Sequence, residues 1–134
     1  MVDRTIAEKL LVKPGTTVWV SDASRANLLG TMPEGAKVTR DLVAAGTGVL
    51  FADDSASLRT QLKASEAALG IPAAFWIAYP KANRTDINRD TLWPILSEYG
   101  MRPISQIAID ETWSALRFRK LKPGEAPFTG SSKD

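Results

Sequence analysis

Residues 49–79 read VLFADDSASLRTQLKASEAALGIPAAFWIAY, and three patterns follow one another within them. Residues 49–52 are a short apolar run, the composition of a strand buried on both faces. Asp53, Asp54 and Ser55 then offer side-chain oxygens that can cap the free N–H groups of a helix. Leu58, Leu62, Ser65 and Leu69 return at helical spacing and so share one face. Gly70-Ile71-Pro72 stops that helix, because proline cannot continue it. Residues 73–79 are the most strongly apolar segment of the chain and predict a second buried strand. Strand, helix and strand joined in this way pack as a parallel pair with the helix against one face of the sheet.

Upstream, the β-branched residues 16–20 follow the turn Lys13-Pro14-Gly15 and suit a central strand. Thr5 and Glu8 have capping-box spacing, and Ile6, Leu10 and Leu11 predict a short helix ending near Val12. Residues 24–29 fit a helix of barely two turns. The turn Met32-Pro33-Glu34-Gly35 leads to a short strand at 36–39. Residues 41–45 suit another short helix, broken by 46–48 before the strand at 49. Downstream, Thr85 or Asp86 is expected to cap a helix carrying Leu92, Ile95, Leu96 and Tyr99, with a kink or a restart near Trp93 because of Pro94, and closed by Gly100. Residues 104–109 and 114–119 flank Asp110-Glu111-Thr112-Trp113 as a hairpin, with Leu116 and Phe118 inward and Arg117 and Arg119 outward. The sum is an α/β, Rossmann-like, mostly parallel sheet with helices on both faces and a C-terminal antiparallel hairpin. Residues 1–120 are expected to form one domain and 121–134 a mobile C-terminal tail.

The chain has 134 residues and a net charge of +2, which is too small to indicate nucleic acid. Arg117, Arg119, Lys120 and Lys122 form a local excess that reads as the solvated face of the last strand. There is no cysteine and no histidine. Disulfides and thiolate sites are therefore excluded, along with the commonest general base and metal ligand. No metal site is expected. No stretch approaches the roughly 20 apolar residues of a membrane helix. Asp3, Arg4, Glu8 and Lys9 do not read as a signal peptide, so the expected location is cytoplasmic.

The arrangement resembles the class I methyltransferase architecture. Residues 10–20 would enter its first strand, 49–54 its fourth and 72–81 its fifth, with 104–118 as its closing hairpin. The chain is also similar to a bacterial family of small proteins with no established activity. That likeness rests on Lys13-Pro14-Gly15, Met32–Gly35, the W-x-A-Y-P-K of residues 76–81, Thr85-Asp86 with Arg89-Asp90, and DETWSALRF at 110–118. It spans roughly residues 8 to 119 and implies a fold without a reaction. A methyltransferase would follow its first strand with an acid and a glycine-rich loop. Here Ser21-Asp22-Ala23-Ser24-Arg25-Ala26-Asn27 keeps the acid, but no glycine comes before Gly30. Cβ atoms then stand where a cofactor needs close backbone approach, so neither S-adenosylmethionine nor a nucleotide is expected.

Ligands of open α/β sheets bind beyond the carboxyl ends of the strands. That rule selects Ser21 and Asp22, Asp53 and Asp54, Tyr79 and Lys81, and residues 110–113 if strand 104–109 runs parallel to the others. Lys81, Asp110 and Glu111 are the candidate acid and base groups. Asp22, Tyr79, Lys81, Thr85, Arg89 and Trp113 are the candidate ligand-binding residues. Asp41 lies where a ribose-binding acid could stand, or caps a helix. The expected function is a non-catalytic module binding a small anionic ligand or a protein partner at this edge. The alternatives are a small enzyme using Lys81 with Asp110 or Glu111, and a degenerate S-adenosylmethionine-dependent methyltransferase. Self-association is left open.

Overall fold

A computed structural model describes residues 5–81 and 86–125. The chain opens with helix α1 (Ile6–Lys9), followed by strands β1 (Thr17–Val20), β2 (Lys37–Thr39) and β3 (Thr47–Phe51). Helix α2 (Ser55–Ser65), strand β4 (Ala74–Pro80), helix α3 (Arg89–Ser97) and the hairpin β5 (Met101–Ala108) and β6 (Trp113–Lys120) complete it. One sheet holds six strands in the order β2-β1-β3-β4-β6-β5. The first four in that order are parallel to one another, and β6 is antiparallel to both its neighbours. Strand β5 therefore runs the same way as β4, and the ends of β1, β3, β4 and β5 share one edge with the start of β6.

The period-two alternation of the strands sorts the core into two faces. Leu50, Phe75, Ile77, Tyr79, Leu116 and Phe118 pack beneath α2 and α3. Val18, Val20, Val49, Phe51, Trp76, Trp113 and Ala115 pack on the other face, against Ala7 and Leu10. Trp76 is anchored there, its indole Nε1 donating to the Leu10 carbonyl at 2.9 Å. Every residue of β3 and β4 is buried, as the apolar runs predict.

Local chemistry explains where elements begin and end. The Thr5–Glu8 capping box forms as expected, but α1 stops at Lys9 instead of reaching Val12. Leu11 takes a left-handed φ of 72°, which turns the chain so that the Val12 amide reaches the Ala7 carbonyl. Strand β3 starts at Thr47, so Gly48 lies inside the sheet and not in a break before it. Its missing Cβ leaves room for Leu42 and Phe75, each of which would stand 3.0 Å from one. The cap of α3 is Asn88, whose carboxamide oxygen accepts from the amides of Asp90 and Thr91. Asp86 turns instead to α2, accepting from the amide and hydroxyl of Ser55. Thr85, the other expected cap, lies outside the described residues. Helix α3 continues through Pro94 to Ser97.

The first part of the expected tail is tied down. The Leu121 amide donates to the Gly100 carbonyl, and Glu125 accepts from Arg102 and Arg119, each at 2.8 Å at its shortest. Residues 126–134 lie outside the described residues. No helix among the described residues is long and apolar enough to cross a membrane.

Candidate functional site at the carboxyl edge

Because β1 sends its next strand to one side and β3 lies on the other, the strand order reverses between β1 and β3. The crevice beyond their ends is where open α/β sheets take ligands. Residues 23–29 follow β1 as a 3-10 segment capped by Asp22, whose Oδ1 accepts from the amide and hydroxyl of Ser24. Those bonds from Ser24, aided by the charge of Arg25, hold the Asp22 carboxyl below its ordinary pKa. The Ser21 hydroxyl accepts from the Phe51 amide at 2.7 Å and pins the ends of β1 and β3 together.

Arg25 spans this crevice. Its Nη1 lies 3.1 Å from Asp53 and its Nε 3.4 Å from Asp22. Its guanidinium stacks over the indole of Trp113 at 4.6 Å. Phe51 meets the same indole edge-on, ring centroids 5.2 Å apart. A planar cation between two carboxylates and an aromatic face is thus supplied by the chain itself. Arg25 was not among the residues selected from the sequence. The Asp22-x-x-Arg25 spacing was the available signal, since residues three apart on a helical turn are neighbours.

The β4–β6 register brings the two C-terminal motifs to this edge, with Pro80 opposite Trp113. The Lys81 amide donates to the Thr112 carbonyl at 2.7 Å. Asp110 closes the hairpin turn, its Oδ1 accepting from the amides of Thr112 and Trp113 at 2.8 and 2.7 Å. Glu111 is exposed. Lys81 is half-buried and, among the described residues, forms an ion pair with neither acid.

The other selected residues are divided by the sheet. Tyr79 is only 4% exposed and belongs to the face under α2 and α3, where its hydroxyl accepts from Gln106 Nε2 at 2.7 Å. Trp113, 8% exposed, belongs to the opposite face. The two rings therefore do not line one pocket. Asp54 caps α2 through the Ser57 amide, and Asp41 caps the turn Leu42–Ala44 through the Val43 amide. Thr85 and the side chain of Arg89 lie outside the described residues. Among the described residues, no three acidic side chains gather as a metal centre would require.

Comparison with known proteins places this architecture. No protein-family model and no curated protein matches the chain. A protein of the NADB-Rossmann superfamily from Streptococcus agalactiae superposes with a TM-score of 0.56 at 10% identity, over 97% of this chain and 72% of that one. The tRNA methyltransferase TrmK of B. subtilis gives 0.51 at 9% identity, over 90% and 68% of the two chains. A ribosomal protein L11 methylase from Lactobacillus delbrueckii subsp. bulgaricus gives 0.50 at 13%, over 85% and 74%. The chain thus has a Rossmann-like, methyltransferase-like fold. The finer resemblance to one small bacterial family has no matching family model behind it.

Proposed function

We propose that the chain is a non-catalytic binding module on a methyltransferase-like scaffold, and that it takes a small anion at the carboxyl edge beside β4. The observation that carries this reading is the contrast between two cations. Arg25 is already held by Asp22 and Asp53, whereas half-buried Lys81 has no ion pair among the described residues. The Lys81 backbone is held at the end of a buried strand by the Thr112 carbonyl, and its ammonium is a compact point charge for a phosphate or carboxylate. Asp110 is held to the hairpin turn, its Oδ1 accepting from two amides, and its negative charge works against an anion here. Exposed Glu111 is the second nearby carboxylate and can be neutralised without breaking the turn.

The crevice between β1 and β3 fits S-adenosylmethionine poorly. Residues 24–27 carry side chains, the Ser24 amide is engaged by Asp22, and the guanidinium of Arg25 lies between the two acids. Acid–base chemistry by Lys81 with Asp110 lacks support in the same way, because Asp110 is engaged by the hairpin turn.

A thermal-shift panel of inorganic phosphate, citrate, ATP and S-adenosylmethionine tests the reading. A ligand at 100 times its Kd raises stability by about 2.7 kcal/mol. Phosphate or citrate should raise the melting temperature, Lys81→Met should abolish the shift, and Glu111→Gln should enlarge it. A flat panel, or a shift retained in Lys81→Met, overturns the proposal. The fold likeness keeps one second reading, the degenerate methyltransferase, and a shift with S-adenosylmethionine alone would favour that instead.

A further inference from the structure

The opposite edge of the sheet holds a cavity of about 280 Å³ where the chain enters β4 and leaves β6. Its apolar wall comes from Ile71, Pro72, Phe75, Met101 and Phe118, and its polar rim from Arg119 and Lys120. Ile71 is 49% exposed and forms the solvent-facing part of that wall. The volume falls just below the range of drug-sized pockets, which suits a ligand of one ring or a short chain.

Charge at this edge favours an anion. Arg102, Arg117, Arg119, Lys120 and Lys122 gather at this end of the hairpin, and Glu125 answers Arg102 and Arg119. Lys120 has no carboxylate partner among the described residues, and its Nζ rests on the Tyr99 carbonyl at 3.3 Å. Arg117, which alternates with Phe118 onto the other face of β6, donates to the Ala73 carbonyl at 3.2 Å and is not part of the cavity lining. Gly70 explains how the lysine is placed. A Cβ there would stand 2.7 Å from Lys120 Cγ and 3.0 Å from Cε, so the bare glycine lets the lysine stem lie across the rim.

We propose that this cavity is a second binding site, for a small organic carboxylate whose apolar body lies between Ile71 and Phe118 and whose charge pairs with Lys120. The apolar wall gains by excluding water, and the ammonium gains an anionic partner in place of a single carbonyl. The site is independent of the carboxyl edge.

Titration of 15N-labelled protein with benzoate tests this, with benzyl alcohol as the uncharged analogue and acetate as the ringless one. Benzoate should give saturable shifts at the amides of Gly70, Ile71, Ala73 and Lys120, with both analogues binding at least about tenfold more weakly. Lys120→Met keeps a stem over Gly70 and should weaken benzoate about tenfold while leaving benzyl alcohol unchanged. Lys81→Met should leave the titration unaltered. The proposal fails if no saturable shift centres on Gly70, if shifts centre on Lys81 and Trp113, if either analogue equals benzoate, or if Lys120→Met binds benzoate as the parent does.

Discussion

The guanidinium of Arg25 lies 4.6 Å from the centre of the Trp113 indole, joining the segment after the first strand to the first residue of the last. A cation over an indole face is attracted by the ring's quadrupole, by about 1 kcal/mol when partly shielded from water. Arg25→Met keeps an apolar stem and removes the charge. It should lower the unfolding free energy by about 1 kcal/mol, read by urea denaturation followed through tryptophan fluorescence. Arg25→Lys should recover only part of the loss, because an ammonium lacks the planar fork that reaches Asp22 and Asp53 together.

Trp76 should be sensitive to a smaller change. It is 1% exposed, and its indole N–H supplies a bond to the Leu10 carbonyl at 2.9 Å. Trp76→Phe leaves that carbonyl without its donor and opens space behind the ring. A cost of about 2 kcal/mol is expected, with Leu10 and the residues of α1 losing amide protection first in hydrogen exchange.

Gly48 should tolerate nothing larger. A Cβ there would lie 3.0 Å from both Leu42 Cδ1 and Phe75 Cδ1, and Phe75 is fixed in the core. Gly48→Ala should destabilise by about 1–3 kcal/mol through overpacking. Gly48→Ala combined with Leu42→Ala should recover part of that loss, which a double-mutant cycle would measure.

The Glu125 attachment should respond to acid. Hydrogen bonds from Arg119 first, then the Lys122 amide and Arg102, bring its carboxyl from an ordinary 4.5 down to about 2. A depressed pKa stabilises the folded form fully above the unfolded value and loses that contribution as pH falls through the folded one. The Leu121 and Glu125 amides should therefore keep their folded chemical shifts at pH 4.5 and lose them only near pH 2. Glu125→Gln should release the segment at neutral pH.

Much of the frame was legible because its signals are local. The apolar run ending in Tyr79, the helix face of Leu58 and Leu62, and the Thr5–Glu8 box each depend on neighbours within a few residues. Gly48 misled because glycine marks a chain break as readily as a crowded strand, and only Phe75 and Leu42 distinguish the two. Asn88 was missed because Asp86 is as good a cap by residue type. Its carboxylate is drawn to Ser55, far away in sequence. At the candidate site, the meeting of Lys81 with Thr112 followed from the direction of β5. The division of Tyr79 from Trp113 by the sheet depended on register, which alternation within one strand does not set. Arg25 escaped because Asp53 and Trp113, which give it its place, come from distant parts of the chain.

The position of β6 between β4 and β5 also orders how the protein can be made. A ribosome releases β4 and then β5. Strand β4 can pair with β3 on one side, but its other edge and the whole of β5 have no partner strand until β6 arrives to sit between them. At roughly 5–20 residues per second, the nascent chain carries the unpaired edge of β4 for a few seconds. That edge includes the backbone of Trp76 and Ile77, the most apolar part of the molecule. A message truncated before the codon for Trp113 would leave it permanently open to strands of other chains.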